Sequence, residues 1–104
     1  MIYYNVTSRL DRSIEAEWIN WMQEKHIPEM LNTKYFAEVK LLKIDFDDKE
    51  DNPTYATQYL LASETLLESY IENKDDILKN KIIEKFGERV LSFNTKLEVI
   101  SEHK

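Results

Sequence analysis

The middle of the chain reads YFAEVKLLKIDF (residues 35–46), DDKEDNP (47–53) and TYATQYLLA (54–62). The outer pieces are rich in β-branched and aromatic residues, and the piece between them is rich in turn formers. The spacing therefore predicts two antiparallel strands joined as a hairpin. On the first of them Val39 and Leu41 share one face, and Phe36, Leu42, Ile44 and Phe46 share the other. On both sides of the hairpin the period changes. Across residues 14–31, Ile14, Trp18, Trp21 and Met22 fall in one helical stripe, flanked by Ile19 and His26. Asp11 and Ser13 are both suited to cap its start. Pro28 removes a backbone donor and crowds the turn before it, which predicts a kink or restart near His26-Ile27.

Beyond the hairpin, Ser63 suits an N-cap and Glu64 the first turn of a second helix. That helix carries Leu66, Tyr70, Ile77, Leu78 and Ile82 along one side. It closes at Phe86, with Gly87, the only glycine of the chain, where a left-handed residue ends a helix. A strand at each end completes the order. Residues 2–8 alternate Ile2, Tyr4 and Val6 with Tyr3, Asn5 and Thr7, and residues 88–100 place Leu91, Phe93, Leu97 and Val99 together. The order β-α-β-β-α-β is that of an α+β, ferredoxin-like sandwich: a four-stranded antiparallel sheet with both helices on one face, expected to occupy residues 1–104 as a single domain. The opposite face is expected to carry Tyr3, Asn5, Thr7, Phe36, Leu42, Ile44, Gln58, Leu60, Val90, Ser92 and Asn94. That mixture is too apolar for water and too polar for a dry core. A second copy packed there, forming a homodimer, resolves the conflict.

Composition excludes several classes. The 104 residues contain no cysteine, so thiolate zinc sites, disulfides and thiol nucleophiles are ruled out. Twenty acidic residues against 14 basic ones give a net charge of −6, with the basic residues interspersed, which argues against nucleic acid and anionic lipid as partners. No apolar run approaches the ~20 residues needed to span a bilayer, and the first residues read as a strand rather than a signal peptide. A cytoplasmic location is expected. A single glycine excludes a phosphate-cradling loop and a dinucleotide fingerprint, and no cofactor is expected.

Three segments carry a resemblance over nearly the whole chain: Met1-Ile2-Tyr3-Tyr4-Asn5-Val6-Thr7; Trp18-Ile19-Asn20-Trp21-Met22 running on to His26-Ile27-Pro28; and Tyr55-Ala56-Thr57-Gln58-Tyr59 with Phe86-Gly87 and Phe93-Asn94-Thr95-Lys96-Leu97-Glu98-Val99. Together they resemble an uncharacterised bacterial family of small proteins, a domain of unknown function, in the dimeric α+β barrel superfamily. The resemblance implies a ferredoxin-like protomer and two sheets facing each other. It implies no activity.

His26 is the only histidine outside the tail. One reading makes it a ligand-binding or general acid–base group at the mouth of a pocket between helix and sheet. The other makes it a hydrogen-bonding partner for the carbonyl that Pro28 leaves without a donor. Asn5, Gln58 and Asn94 are uncharged polar groups on neighbouring strands, able to orient a small ligand. The expected site centres on His26 and is lined by Asn5, Gln58, Tyr59 and Trp21, and it takes a small organic molecule. The rival reading is a non-catalytic module assembling through its sheet face. His26 with Glu29 makes a poor metal pair. The acidic turn from Asp45 to Asp51 lacks the glycine and the bidentate glutamate of an EF-hand, and no metal site is expected.

Overall fold

The computed structural model describes residues 1–45 and 52–104. Phe46 and the acidic side chains from Asp47 to Asp51 lie outside the described residues. Four strands form one antiparallel sheet: β1 (Ile2–Leu10), β2 (Glu38–Ile44), β3 (Thr54–Leu61) and β4 (Val90–Glu98), in the order β2-β3-β1-β4. Two helical arms cover one of its faces. The first is α1 (Glu15–Trp21), a π turn (Met22–His26) and α2 (Ile27–Asn32); the second is α3 (Glu64–Tyr70), a π turn (Ile71–Asp75) and α4 (Asp76–Phe86). This is the ferredoxin-like arrangement that the element order predicts. Among the described residues no helix is long and apolar enough to cross a membrane.

The local signals act as read at several ends. Asp11 accepts from the Ser13 backbone N–H at 2.9 Å and caps the 3-10 turn that leads into α1. Ser63, extended at φ −152°, accepts from the Leu66 N–H at 3.3 Å and caps α3. Gly87 ends α4 at φ 58° and ψ −134°, a conformation that L side chains rarely adopt.

Pro28 does not break the first arm. The helix widens ahead of it, and the Ile27 N–H reaches back to the Met22 carbonyl, so the missing proline donor is absorbed by one π turn. The second arm widens in the same way, and this shifts its buried face. Leu67, Tyr70, Asp75, Leu78 and Phe86 are buried, whereas Leu66 and Ile77, expected in the stripe, are exposed. For Ile77, which follows the π turn, a constant helical period is out of phase; Leu66 precedes the turn and gives way to its buried neighbour Leu67.

Two further expectations are corrected. Phe36 does not join the outer sheet face. It lies ahead of β2, where strand alternation no longer applies, and packs into the core 5.1 Å from the Tyr59 ring and 4.9 Å from that of Tyr70. The faces of β4 are also exchanged. Its register on β1 pairs Leu10 with Val90, Ser8 with Ser92 and Val6 with Asn94, so Val90, Ser92 and Asn94 face the helices. Leu91 and Phe93, each 64% exposed, and the less exposed Leu97 lie on the outer face beside Arg9, Thr7 and Tyr3. Apolar content misleads here, because β4 is an edge strand whose apolar residues, Val90 excepted, lie on the outward parity. The buried Leu10 and the Ser8–Ser92 hydroxyl contact of 2.9 Å hold the register.

The core has two lobes. One gathers Tyr4, Phe36, Tyr59, Leu61, Tyr70 and Leu78. The other gathers Leu10, Ile14, Trp18, Met22, Tyr55 and Phe86, with the Trp18 and Tyr55 rings 5.2 Å apart.

Candidate functional site

Between the lobes, the helix-facing row of the sheet carries small or polar side chains. Val6 on β1 is flanked by Thr57 on β3 and Asn94 on β4, and Ser8 stands beside Ser92. Side chains this short cannot reach the helices that the large residues on either side hold away from the sheet. A cavity of about 330 Å³ results, with this row on its wall. Tyr4, Tyr59, Tyr70 and Trp18 add aromatic wall, and the two helical arms contribute His26, Met30, Asp75 and Lys79.

His26, the last residue of the first π turn, is 3% exposed. Its ring stacks on Trp21 with centroids 4.9 Å apart and planes 19° from parallel, and Trp21 stands edge-on to Phe86 at 5.5 Å. Burial lowers its pKa to about 4; the nearby Glu29 charge opposes the shift and Lys81 adds to it. The imidazole is therefore neutral at physiological pH. Its Nδ1 has no hydrogen-bond partner among the described residues, and neither has Trp18 Nε1 or Thr57 Oγ1. All three buried orphans belong to residues lining the cavity. The reading in which the imidazole bonds the carbonyl freed by Pro28 gains no bond at Nδ1.

A second polar group closes another part of the wall. Tyr4 Oη donates to Asp75 Oδ1 at 2.8 Å, and Lys79 Nζ lies 2.8 Å from Asp75 Oδ2. Burial, reinforced by the Asp75 carboxylate, raises the Tyr4 pKa well above that of an ordinary phenol. Tyr70, which donates to Met30 Sδ at 3.4 Å, is raised by burial first and then by the same carboxylate. Burial alone raises Tyr59. These phenols remain protonated donors across the physiological range.

The five residues expected to form the site separate. His26 and Tyr59 line the cavity, and Trp21 stands behind His26 as its stacking partner. Asn5 and Gln58 pair with each other across β1 and β3 on the outer face, so the sheet lies between them and His26. Asn94, grouped with them in sequence, faces the cavity instead. Strand parity explains the division: residues 4, 6 and 8 of β1 face the helices, and residue 5 cannot. Sequence reading missed Asp75, Tyr4, Thr57 and Trp18 as polar members of the wall. Tyr4 and Trp18 carried a usable signal, since a tyrosine or tryptophan in an apolar stripe brings a polar atom that needs a partner. Asp75 carried none. Among the described residues no three His, Cys, Asp or Glu side chains gather into a metal-ligating group.

The fold and cavity define a small ferredoxin-like α+β protein. The chain belongs to the family described as a domain of unknown function, DUF4286, whose model matches residues 1–100. No curated protein matches the sequence. Among solved structures, a dimeric ferredoxin-like protein from an uncultured marine organism is similar at TM-score 0.71 and 12% identity, covering 100% of this chain and 99% of that one. HapK from Hahella chejuensis is similar at TM-score 0.72 and 9% identity, covering 100% and 97%. An ethyl tert-butyl ether d (ethd) family protein from Bacillus halodurans C-125 is similar at TM-score 0.67 and 11% identity, covering 96% and 100%. At these identities the likeness is one of fold.

Proposed function

We propose that the protein is a homodimeric barrel that binds a small, mostly apolar organic molecule in the cavity between its helices and its sheet. One observation carries this reading: Trp18, His26 and Thr57, each with a buried polar atom that has no partner among the described residues, line one cavity. A buried polar atom left unbonded costs ~1–3 kcal/mol, and hydrogen bonds from a ligand would offset that cost. The cavity is at the lower end of the ~300–1,000 Å³ range of small-molecule sites. His26 is the polar centre of the site, held in orientation by Trp21, and Tyr59 contributes wall. An imidazole whose pKa has been pushed down to about 4 is a weak base at neutral pH. It is better suited to hydrogen-bonded recognition than to proton abstraction, which favours binding over turnover.

Assembly belongs to the same proposal. The outer face exposes Leu42, Leu91, Phe93 and Leu97. A second copy would cover them. The dimeric description of the marine ferredoxin-like protein supports this choice. Asn5 and Gln58 are thereby assigned to the dimer interface rather than to the pocket.

A screen of neutral aromatic fragments by thermal shift, run on the wild type, His26→Ala and Thr57→Val, tests the pocket. Stabilising fragments should lose about tenfold in affinity in either variant, ~1.4 kcal/mol for one lost hydrogen bond. Without ligand, Thr57→Val should melt no lower than the wild type, because it removes an unbonded hydroxyl at constant shape. Equal affinities in all three proteins would place the site elsewhere, and a screen without hits would end the proposal.

A further inference from the structure

Each helical arm contains one π turn, and each π turn ends on a polar residue of the cavity wall: His26 on the first arm and Asp75 on the second. The extra residue of a π turn re-aims the side chains that follow it, and such turns recur at functional sites. In the second arm the effect is to bury a carboxylate, 5% exposed, on a helix whose neighbouring charges face water. Asp75 has two hydroxyls and one ammonium on or beside it, from Tyr4, Tyr70 and Lys79. An ionised carboxylate has about four acceptor positions, so one remains.

The location of the ion pair is equally specific. Tyr4, Asp75, Lys79 and Asn94 border both the cavity and a neighbouring hollow of about 470 Å³ lined by residues of α3 and β4, including Glu64, Glu68 and Lys96. The Asp75–Lys79 pair therefore stands between the interior and the outside. Lys79 is half exposed and paired with Asp75 one helical turn away, so its flexible stem can move aside while Asp75 stays in the wall.

Resting on the pocket reading above, we propose that Asp75 is a ligand-binding residue and that the cavity takes a neutral aromatic or conjugated molecule bearing a hydroxyl at one end and an acceptor oxygen at the other. The hydroxyl donates to Asp75, and the acceptor oxygen meets Trp18 Nε1, His26 and Thr57. Lys79 covers the mouth. Charge selects the class. A cationic ligand would meet Lys79 already beside the carboxylate, and an ammonium offers nothing to the Trp18 N–H, which only donates. An anion would meet Asp75. A molecule without a donor would leave the open carboxylate position unused, and the rings of Tyr4, Tyr59, Tyr70 and Trp18 suit a flat body.

The probes are 6-hydroxy-2-acetylnaphthalene, its 6-methoxy and 6-amino analogues, and 2-acetylnaphthalene, followed by calorimetry and by their own fluorescence. The wild type should bind the hydroxy probe about tenfold more tightly than the methoxy and unsubstituted ones, as expected for a hydrogen bond to a charged acceptor. Asp75→Asn, which keeps the shape and an acceptor for Tyr4, should shrink that preference to about twofold. A purely structural Asp75 would weaken all probes alike and leave the preference intact. Lys79→Gln should retain the preference; its loss there would make the lysine, not the aspartate, the contact. Tighter binding of the amine overturns the assigned class, as does absence of binding by every probe. Should Asp75→Asn fail to fold, the wild-type preference and Lys79→Gln still decide. Equal binding of hydroxy and methoxy probes, weakened by His26→Ala, overturns this inference while leaving the pocket reading in place.

Discussion

At the scale of single residues, His26 shows how burial converts a common side chain into a specific one. Burial outweighs the opposing charge of Glu29, so the folded protein holds the ring neutral down to a pH near 4, against 6.5 in an exposed chain. Between these values the unfolded chain binds the proton and the folded one does not. The contribution to stability is therefore complete above about pH 6.5 and is lost as the pH falls toward 4. Urea unfolding at pH 7 and pH 5 should show the wild type losing about 2 kcal/mol more than His26→Phe, which keeps a ring on Trp21 but cannot titrate. Equal losses would mean that the imidazole is solvated. The sequence made His26 conspicuous as a lone histidine ahead of Pro28. Its neutrality could not be read there, because it comes from Trp21, Met22, Trp18 and the sheet closing around it. Thr57 and Asp75 were less legible still: a threonine in a strand and an aspartate in a charged helix have ordinary surface readings until the register and the π turn aim them inward.

At the scale of elements, ends were legible and phases were not. Ser63 and Gly87 announce a helix start and stop through local chemistry alone, and both act in that way. A Cβ built on Gly87 meets nothing within 4 Å, so replacing this glycine incurs only the backbone penalty of φ 58°. Gly87→Ala should lower stability by about 1–2 kcal/mol, read as a drop in melting temperature, with ligand affinity unchanged. A variant as stable as the wild type would show that α4 ends in another conformation. The phase of each helical arm is different. Five-residue turns at Met22–His26 and Ile71–Asp75 displace the buried stripe that follows them, which is why Ile77 is in water while Asp75 and Leu78 are not. Pro28 offers a local reason for the first widening. The second has no proline and no other local mark.

At the scale of the whole molecule, the exchanged faces of β4 alter the account of the outer sheet surface. With Leu91, Phe93 and Leu97 outward, that surface is more apolar than the alternation of the isolated strand implied. Leu60 and Ala56 at its centre are already buried within the protomer. The exposed rim lies on the two edge strands, with Leu42 on β2 and Leu91 and Phe93 on β4. A two-fold partner lying sheet to sheet would cover both edges. Phe93→Glu puts a charge at one of the two most exposed points of this rim without entering the protomer core. Sedimentation should show a dimer for the wild type and a monomer for the variant, with an unchanged circular dichroism spectrum. A wild type that sediments as a monomer at high concentration would remove the second copy from the proposal.

The order of elements, the helix-facing parity of β1 and the hairpin at the centre follow from the sequence alone. They depend on periodicity, capping and turn chemistry, which act between residues close in the chain. The cavity and its polar wall were decided by tertiary structure. They arise where short side chains of three strands come into register beneath two helices, each rotated by a π turn. Those alignments are set by the buried tyrosines, tryptophan and leucines on either side, residues far apart in the chain whose packing no local pattern records.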